Sequence, residues 1–533
     1  MKRGVSRRTF MAGVGAAAAA PSFKAPALAQ SANARVLKFT PAAGLTVLDP
    51  STVLAAPSNS HTYHVFDTLY GVDDQYRPKP QMAEGHTVSS DKLTWDITLR
   101  PGLKFHDGER VLARDCVASI KRWWQKDLFG QTLQAYTDEL SAADDKTIRF
   151  RLKKPFGVLP DALGKSVSAP CAMLPERLAN PDASKLVTEM IGSGPLKFVA
   201  NEFVPGQRAV YVKNPDYVPR QEPPQNTSGG KVINFDRVEW HTIGDFSTAA
   251  AALQSGEIDW WEVVHFDLIE VLKANKEVRL ETQDPFFTLM LRFNCGIAPF
   301  NNPELRRVVA SAISQKEMMS ALVGTNPEMS RECYAMYNCG INGVQEHGKA
   351  LMAGPKNYAE IAEKVKAAGY KGEKIVLFHI VDAAVTAPLS PVIADIMRRI
   401  GINVDMVSVD LATWFARRAS QAPLSEGGWS MFVTWSGFAN TYSPGVNLFI
   451  RGLGLKGYPG NFDDPKLEAM MPDWLGGDTE ADRMAVLNKI QERAWEMMPI
   501  VPLGLVNIKS AFRSNITGYV RSTAAIPWNL RRV

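Results

Sequence analysis

Residues Asp91–Trp124 read DKLTWDITLRPGLKFHDGERVLARDCVASIKRWW, and they spell out a strand, a tight turn and a helix in that order. Leu93, Trp95, Ile97 and Leu99 alternate with polar residues, as a half-buried strand requires, and Pro101-Gly102 supplies the turn. His106-Asp107-Gly108 breaks the chain again. From Ala113 the apolar positions Val117, Ile120 and Trp124 fall at helical spacing, so the helix presents one face to the strand.

Working outward, the N-terminus carries Ser6-Arg7-Arg8-Thr9-Phe10, an Ala-rich run Met11 to Ala20, and Ala27-Leu28-Ala29. Basic, mildly apolar and small-residue elements in this order read as a cleavable signal over residues 1–29, of the twin-arginine type that exports folded proteins. The run is too short for a permanent anchor, which needs about 20 strongly apolar residues. Lys2, Arg3, Arg7, Arg8 and Lys24 all lie in it with no acid, so its removal takes the formal charge from +5 to 0. Without a net positive field or a basic stripe, nucleic acid and anionic lipid are poor partners.

The block 91–124 closely resembles the signature of the family 5 extracellular solute-binding proteins, the peptide-, dipeptide- and nickel-binding components of ABC importers. Leu112 departs from it, standing where that family has a hydroxylated N-cap. Other segments resemble the same family in its own order. They are Leu48-Asp49-Pro50, Ser193-Gly194-Pro195-Leu196-Lys197-Phe198, Asn214-Pro215-Asp216-Tyr217, Ala252-Leu253-Gln254-Ser255-Gly256-Glu257-Ile258-Asp259 and Leu291-Arg292-Phe293-Asn294. The resemblance implies an α/β, two-lobed periplasmic-binding-protein fold of the Venus-flytrap type, with mixed sheets covered by helices. Lobe I is expected from 35–60, 191–290 and 503–533, an extra subdomain from 61–190, and lobe II from 291–502. The crossings are then expected near Leu291–Asn294 and Pro499–Leu503.

Length and periodicity agree with more than one core, since roughly 500 residues exceed what one core organises. Asn302 caps a helix that begins at Pro303, buries Leu305, Val308, Val309, Ala312 and Ile313, and ends at Gly324. A second helix, Tyr358 to Ala368, stops at Gly369. Ile375–Phe378, a helix from Pro391 to Ile400 closed by Gly401, and Val404–Val409 form a βαβ unit. The Pro- and Gly-rich segment Pro219–Gly230 reads as a surface loop.

Chemistry-bearing clusters are few. His61 and His64 stand one helical turn apart, but no third ligand is spaced to complete a metal site, so they read as an ordinary helical face. His106, Asp107 and Glu109 offer an acid/base set for a secreted hydrolase, whereas the family counterpart is a structural turn. Gly452-Leu453-Gly454-Leu455-Lys456-Gly457 fits a dinucleotide pattern, yet Tyr458-Pro459-Gly460 cannot start the helix that pattern needs. G-x-S-x-G, H-E-x-x-H and P-loop motifs do not occur, and no cofactor or metal is expected. Of five cysteines, Cys333 and Cys339 flank a loop that a disulfide would close in an oxidising compartment, two independent buried thiols being the alternative.

The segment Trp429–Phe449, WSMFVTWSGFANTYSPGVNLF, passes from a buried strand into a loop of small, aromatic and amide residues suited to stacking and hydrogen bonding. Trp435, Phe438, Asn440 and Tyr442 are the candidate ligand wall of lobe II. Phe293 and Asn294 are expected at the crossing, and Tyr63 opposite them. Where peptide-binding relatives carry an aspartate for the ligand's α-ammonium, this chain has Phe438, and no acid occurs from Gly427 through Phe462. A free amine is therefore disfavoured unless another loop supplies a carboxylate. The resemblance thus implies a monomeric, non-enzymatic periplasmic protein that captures a small or peptide-like solute and delivers it to an ABC permease. A sensor or chaperone on the same fold is a further alternative.

Overall fold

The computed structural model describes residues 35–52, 56–179, 182–283, 287–383 and 385–533; the expected signal segment lies outside them. The strand Thr94–Leu99 turns Trp95, Ile97 and Leu99 inward, as its alternation dictates. It joins a four-stranded antiparallel sheet with Ala83–Val88, Thr147–Leu152 and Thr137–Ala142. The helix Ala113–Trp123 buries Cys116, Val117 and Ile120 in the same apolar cluster. The Leu112 side chain has no oxygen with which to cap it. Asp115 compensates, one oxygen accepting from the Leu112 amide at 2.8 Å and the other from the Glu176 amide at 2.8 Å.

Two mixed sheets carry the lobes. In the first, the order is Val278–Thr282, Lys509–Arg513, Trp260–Trp261, Val36–Thr40, Arg237–His241, Arg208–Lys213 and Leu196–Phe198. Val36–Thr40 runs parallel to both of its neighbours. In the second, the order is Ser330–Arg331, Ile500–Val506, Phe287–Phe293, Met431–Ser436, Ile375–Ile380 and Val404–Val409. Its last three strands are parallel, and the helix Leu389–Arg399 makes the expected crossover between Ile375–Ile380 and Val404–Val409. The largest apolar cluster runs on from the four-stranded sheet into the second lobe. There Phe129 lies 6.1 Å from Trp474, and the Gly157 amide donates to the Leu475 carbonyl at 2.8 Å.

The motif residues brace these elements. Buried Asp49 accepts from Arg122 at 2.9 Å and from the Val187 amide at 2.7 Å, tying the first loop to the helix of the opening block. Asn214 donates to the Gly194 carbonyl at 3.0 Å. Gly256, at φ 80°, ends the helix Phe246–Ser255 in a backbone state that costs other residues more, and Asp259 beyond it accepts from the Lys38 amide at 2.9 Å.

Three expectations need correction. The chain leaves the first sheet at Thr282 and enters the second at Phe287, then returns between Val506 and Lys509. Leu291–Phe293 and Ile500–Leu503 therefore lie inside strands of the second sheet, and the crossings sit several residues outside the expected positions. The helix from Pro303 is two helices, Pro303–Ala312 and Gln315–Val323, because Ser314 turns its hydroxyl to the Glu317 amide and starts the second. Pro219–Gly230 is exposed only in its first half: Asn226 to Gly230 are buried, with Thr227 accepting from the Val72 amide at 2.9 Å.

Candidate functional site

Strand polarity places the cleft. Val36–Thr40 and Trp260–Trp261 end at one edge of the first sheet, and Val278–Thr282, two antiparallel pairings away, ends at that edge too. In the second sheet, Ile375–Ile380, Val404–Val409 and Met431–Ser436 end at one edge, and Phe287, paired antiparallel, begins there. The crossing chains thus join the carboxyl edges of the two sets of parallel strands, and such edges are where ligands of open α/β sheets bind.

The second lobe presents Trp435 and the short helix Phe438–Asn440 at this edge. Trp435 stacks on Trp414 at 6.4 Å, over whose ring the Arg418 guanidinium lies at 4.6 Å. From the other side, Tyr76 stacks on Phe438 at 4.6 Å and meets Tyr442 at 5.2 Å, while Ser168 donates to Asn440 at 3.0 Å. Tyr76 and Ser168 both hold left-handed backbone, at φ 60° and 50°. Such strain in non-glycine residues survives where surrounding contacts fix it, and here both residues touch the opposite lobe.

Tyr63 is buried on the helix Ala56–Val65. Burial pushes its phenol up, with the Asp67 carboxylate and the Tyr442 phenol adding to the rise. A hydrogen bond with Thr227 opposes the rise. Asp67 is itself paired with fully buried Lys231 at 2.7 Å and accepts from Tyr217 at 3.0 Å. Asp161 acts on Tyr442 as well; burial pushes its carboxyl up to about 6 against the pull of Arg483.

Tyr63, Phe438, Asn440 and Tyr442 are therefore brought to one junction, and Trp435 lies on the strand that leads to it, whereas Phe293 and Asn294 are placed elsewhere. Register pairs Thr288 with Ser436 and Phe293 with Met431. Five residues of strand, about 17 Å, separate Phe293 from the cleft edge. Phe293 packs on Phe300 at 4.7 Å, and Asn294 donates to the Trp429 carbonyl at 3.1 Å. His61 and His64 sit in an aromatic core with Phe198, Tyr211 and Trp240, and burial lowers both to about 3, so they are neutral. His106 lies 3.1 Å from the Gly194 carbonyl in a turn, and burial lowers it to about 4. Among the described residues no three His, Cys, Asp or Glu side chains cluster as a metal site would need. Gly452–Gly457 is a loop with one turn of helix at Gly454–Lys456. Cys333 and Cys339 are bridged.

Sequence reasoning missed Tyr76, Ser168, Asp161 and Glu262. Glu262 alone gave a signal, as a lone acid within Trp260-Trp261-Glu262-Val263-Val264. Its carboxyl is buried at the cleft edge and accepts from the Ala42 amide at 2.7 Å and from the Gln283 amide at 3.5 Å. Burial pushes it up to about 7.

A two-lobed architecture closing on an interlobe cleft is that of the extracellular solute-binding proteins. Residues 77–452 match the family described as bacterial extracellular solute-binding proteins, family 5, and the chain belongs to that family. It is 34% identical over 536 residues to the probable peptide ABC transporter periplasmic-binding protein y4tO of Sinorhizobium fredii, covering 99% of each chain. It is 22% identical to the glutathione-binding protein GsiB of Escherichia coli, covering 89% of this chain and 90% of the other. The fold is similar to that of AgaA from A. tumefaciens R10 in complex with agropinic acid, with a TM-score of 0.78, 19% identity, and coverage of 93% and 99%. It is also similar to Helicobacter pylori DppA in complex with the peptide STSA, with a TM-score of 0.77, 20% identity, and coverage of 93% and 98%.

Proposed function

We propose that this protein is the periplasmic receptor of an ABC importer for a peptide-like solute, exported as a folded monomer by its twin-arginine signal. The solute binds between Tyr63 on one lobe and Trp435, Phe438, Asn440 and Tyr442 on the other, and leaves unaltered. The contacts that set Tyr76 and Tyr63 of one lobe against Phe438 and Tyr442 of the other carry the reading, and the full-length similarity to a peptide transporter's binding protein supports it. The Cys333–Cys339 bridge suits an oxidising compartment.

Because the two walls belong to different lobes, a solute touches both only when they meet. It therefore stabilises the closed state by its differential contacts, and the permease is offered that state. Mass spectrometry of small molecules released on denaturing the purified protein is expected to return intact peptide-like compounds, with X-ray scattering showing compaction when they are added back. Chemical conversion of the bound compound, or scattering unchanged by a compound that binds tightly, would refute the proposal.

A further inference from the structure

Buried acids in this protein come with partners. Asp49 meets Arg122, Asp67 meets Lys231, Asp127 meets Lys165, Asp259 meets Arg532 and Asp464 meets Arg493. Asp115 takes two backbone amides at a helix start. Glu262 has neither arrangement. Its side chain receives one backbone amide and one long contact from Gln283, and among the described residues no cation lies within ion-pair distance. Gln283, also buried, turns Nε2 to Glu262 and leaves its own Oε1 without a partner. A carboxylate removed from water with only neutral donors is unfavourable unless it takes up a proton or a positive charge joins it.

The place is as specific as the chemistry. Glu262 follows the strand Trp260–Trp261 at the carboxyl edge of the first sheet, its amide donating to the Thr40 carbonyl at 2.9 Å. Gln283 is the first residue past the strand Val278–Thr282, and its amide donates to Ile508 on the returning chain at 3.0 Å. The pair therefore lies where the two crossing chains touch, at the floor of the cleft. No acid occurs from Gly427 through Phe462, so the opposite lobe cannot neutralise a cation with that segment.

We infer that Glu262, assisted by Gln283 Oε1, seats the free ammonium group of the solute at the cleft floor. This rests on the proposed peptide-like ligand, and it places the counter-charge in the first lobe. An ammonium offers three donors, and the seat supplies a carboxylate oxygen and an amide oxygen for them.

The test uses the whole mature protein and two probes, a pool of unmodified tripeptides and the same pool N-acetylated, with affinities read by calorimetry. The wild type is expected to bind the unmodified pool at least tenfold more tightly. Glu262→Gln is expected to erase that preference while leaving its affinity for the acetylated pool within about threefold, and Glu262→Asp to restore part of it. A thermal melt confirms that each variant is folded; should Glu262→Gln fail to fold, Gln283→Leu is read in its place, with a preference reduced severalfold. Equal wild-type affinity for both pools overturns the inference and leaves the peptide reading standing. So does a preference that survives Glu262→Gln, or one lost in Asp161→Asn instead, which places the charge beside Tyr442. Binding of neither pool overturns the peptide reading and this inference together.

Discussion

The two cleft edges are built from opposite materials. The edge of the first lobe is backed by buried charge, with Asp67 against Lys231 and Glu262 with no cation at ion-pair distance among the described residues. The facing edge offers Trp435, Phe438, Asn440 and Tyr442 in a segment with no acid at all. Buried ion pairs are rigid and directional, and aromatic rings bring large apolar area with few rotatable bonds. On the proposed reading the difference divides charge recognition and closure between the jaws, one setting orientation and the other supplying grip.

The division is broken most forcefully at Asp67–Lys231. Both side chains are fully buried, and Lys231 also lies 5.7 Å from the Tyr63 ring and 5.0 Å from the Trp528 ring. Lys231→Ala strands the Asp67 carboxylate and is expected to cost about 3–5 kcal/mol in denaturant unfolding. The double variant Asp67→Asn, Lys231→Met should recover much of that loss. A loss under 1 kcal/mol would show that the first lobe does not depend on its buried charge.

A second, smaller effect is read from pH. The Glu262 carboxyl is pushed up from 4.5 to about 7 in the folded protein. Between those values the unfolded chain has released this proton and the folded one retains it, so stability falls as pH rises and the fall is complete above about 7. The full contribution is about 3 kcal/mol, removed in Glu262→Gln, whose stability should stay level across that window apart from other groups. His61 and His64 act in the opposite direction, being lowered to about 3, so they remove stability as pH falls below 6.5. Unfolding titrations of both proteins from pH 5 to 8 separate the two trends.

The strand Thr94–Leu99, the helix Ala113–Trp123 and the βαβ unit closed at Gly401 were legible from local pattern, namely alternation, helical spacing and a glycine stop, whereas the two-lobed arrangement came from the family resemblance and not from periodicity. The crossings were misplaced because the resemblance set the first of them on Leu291-Arg292-Phe293-Asn294, and nothing local in that alternating segment tells a strand from the hinge leading to it. Phe293 and Asn294 shared that error and lie at the far end of the strand. Tyr76 and Ser168 could not be found, since their role comes from meeting residues more than 250 positions away. Tyr63 and Tyr442 were reachable through the family resemblance, whereas Glu262 needed the fold to show that it lacks a cation.

On the aromatic jaw the Cys333–Cys339 bridge supports the grip. It closes a loop carrying Tyr337 and Asn338, and Gly340 just beyond is so close to Phe438 that an added Cβ would stand 3.0 Å from the ring. Replacing both cysteines with serine is expected to cost about 2 kcal/mol by loop entropy. Gln315 should keep the loop partly in place, since it accepts from the Cys333 amide at 2.7 Å and donates to the Cys333 carbonyl at 2.7 Å. Denaturant unfolding of the double serine variant checks this, and an unchanged midpoint would show that Gln315 alone holds the loop.

The smallest effect isolates closure. Tyr76 belongs to the first-lobe side yet stacks on Phe438 and Tyr442, so its ring contributes only when the jaws meet. An aromatic contact of this kind is worth about 1 kcal/mol beyond its buried area. Tyr76→Ala should therefore shift the open–closed balance and weaken solute affinity roughly fivefold without touching the charge seat. The preference between unmodified and acetylated tripeptides should be the same in Tyr76→Ala as in the wild type. If Tyr76→Ala altered that preference, recognition and closure would share residues and the division between the jaws would fail. If it altered the preference not at all and lowered affinity for both pools alike, grip and orientation would be separable free energies carried by different lobes.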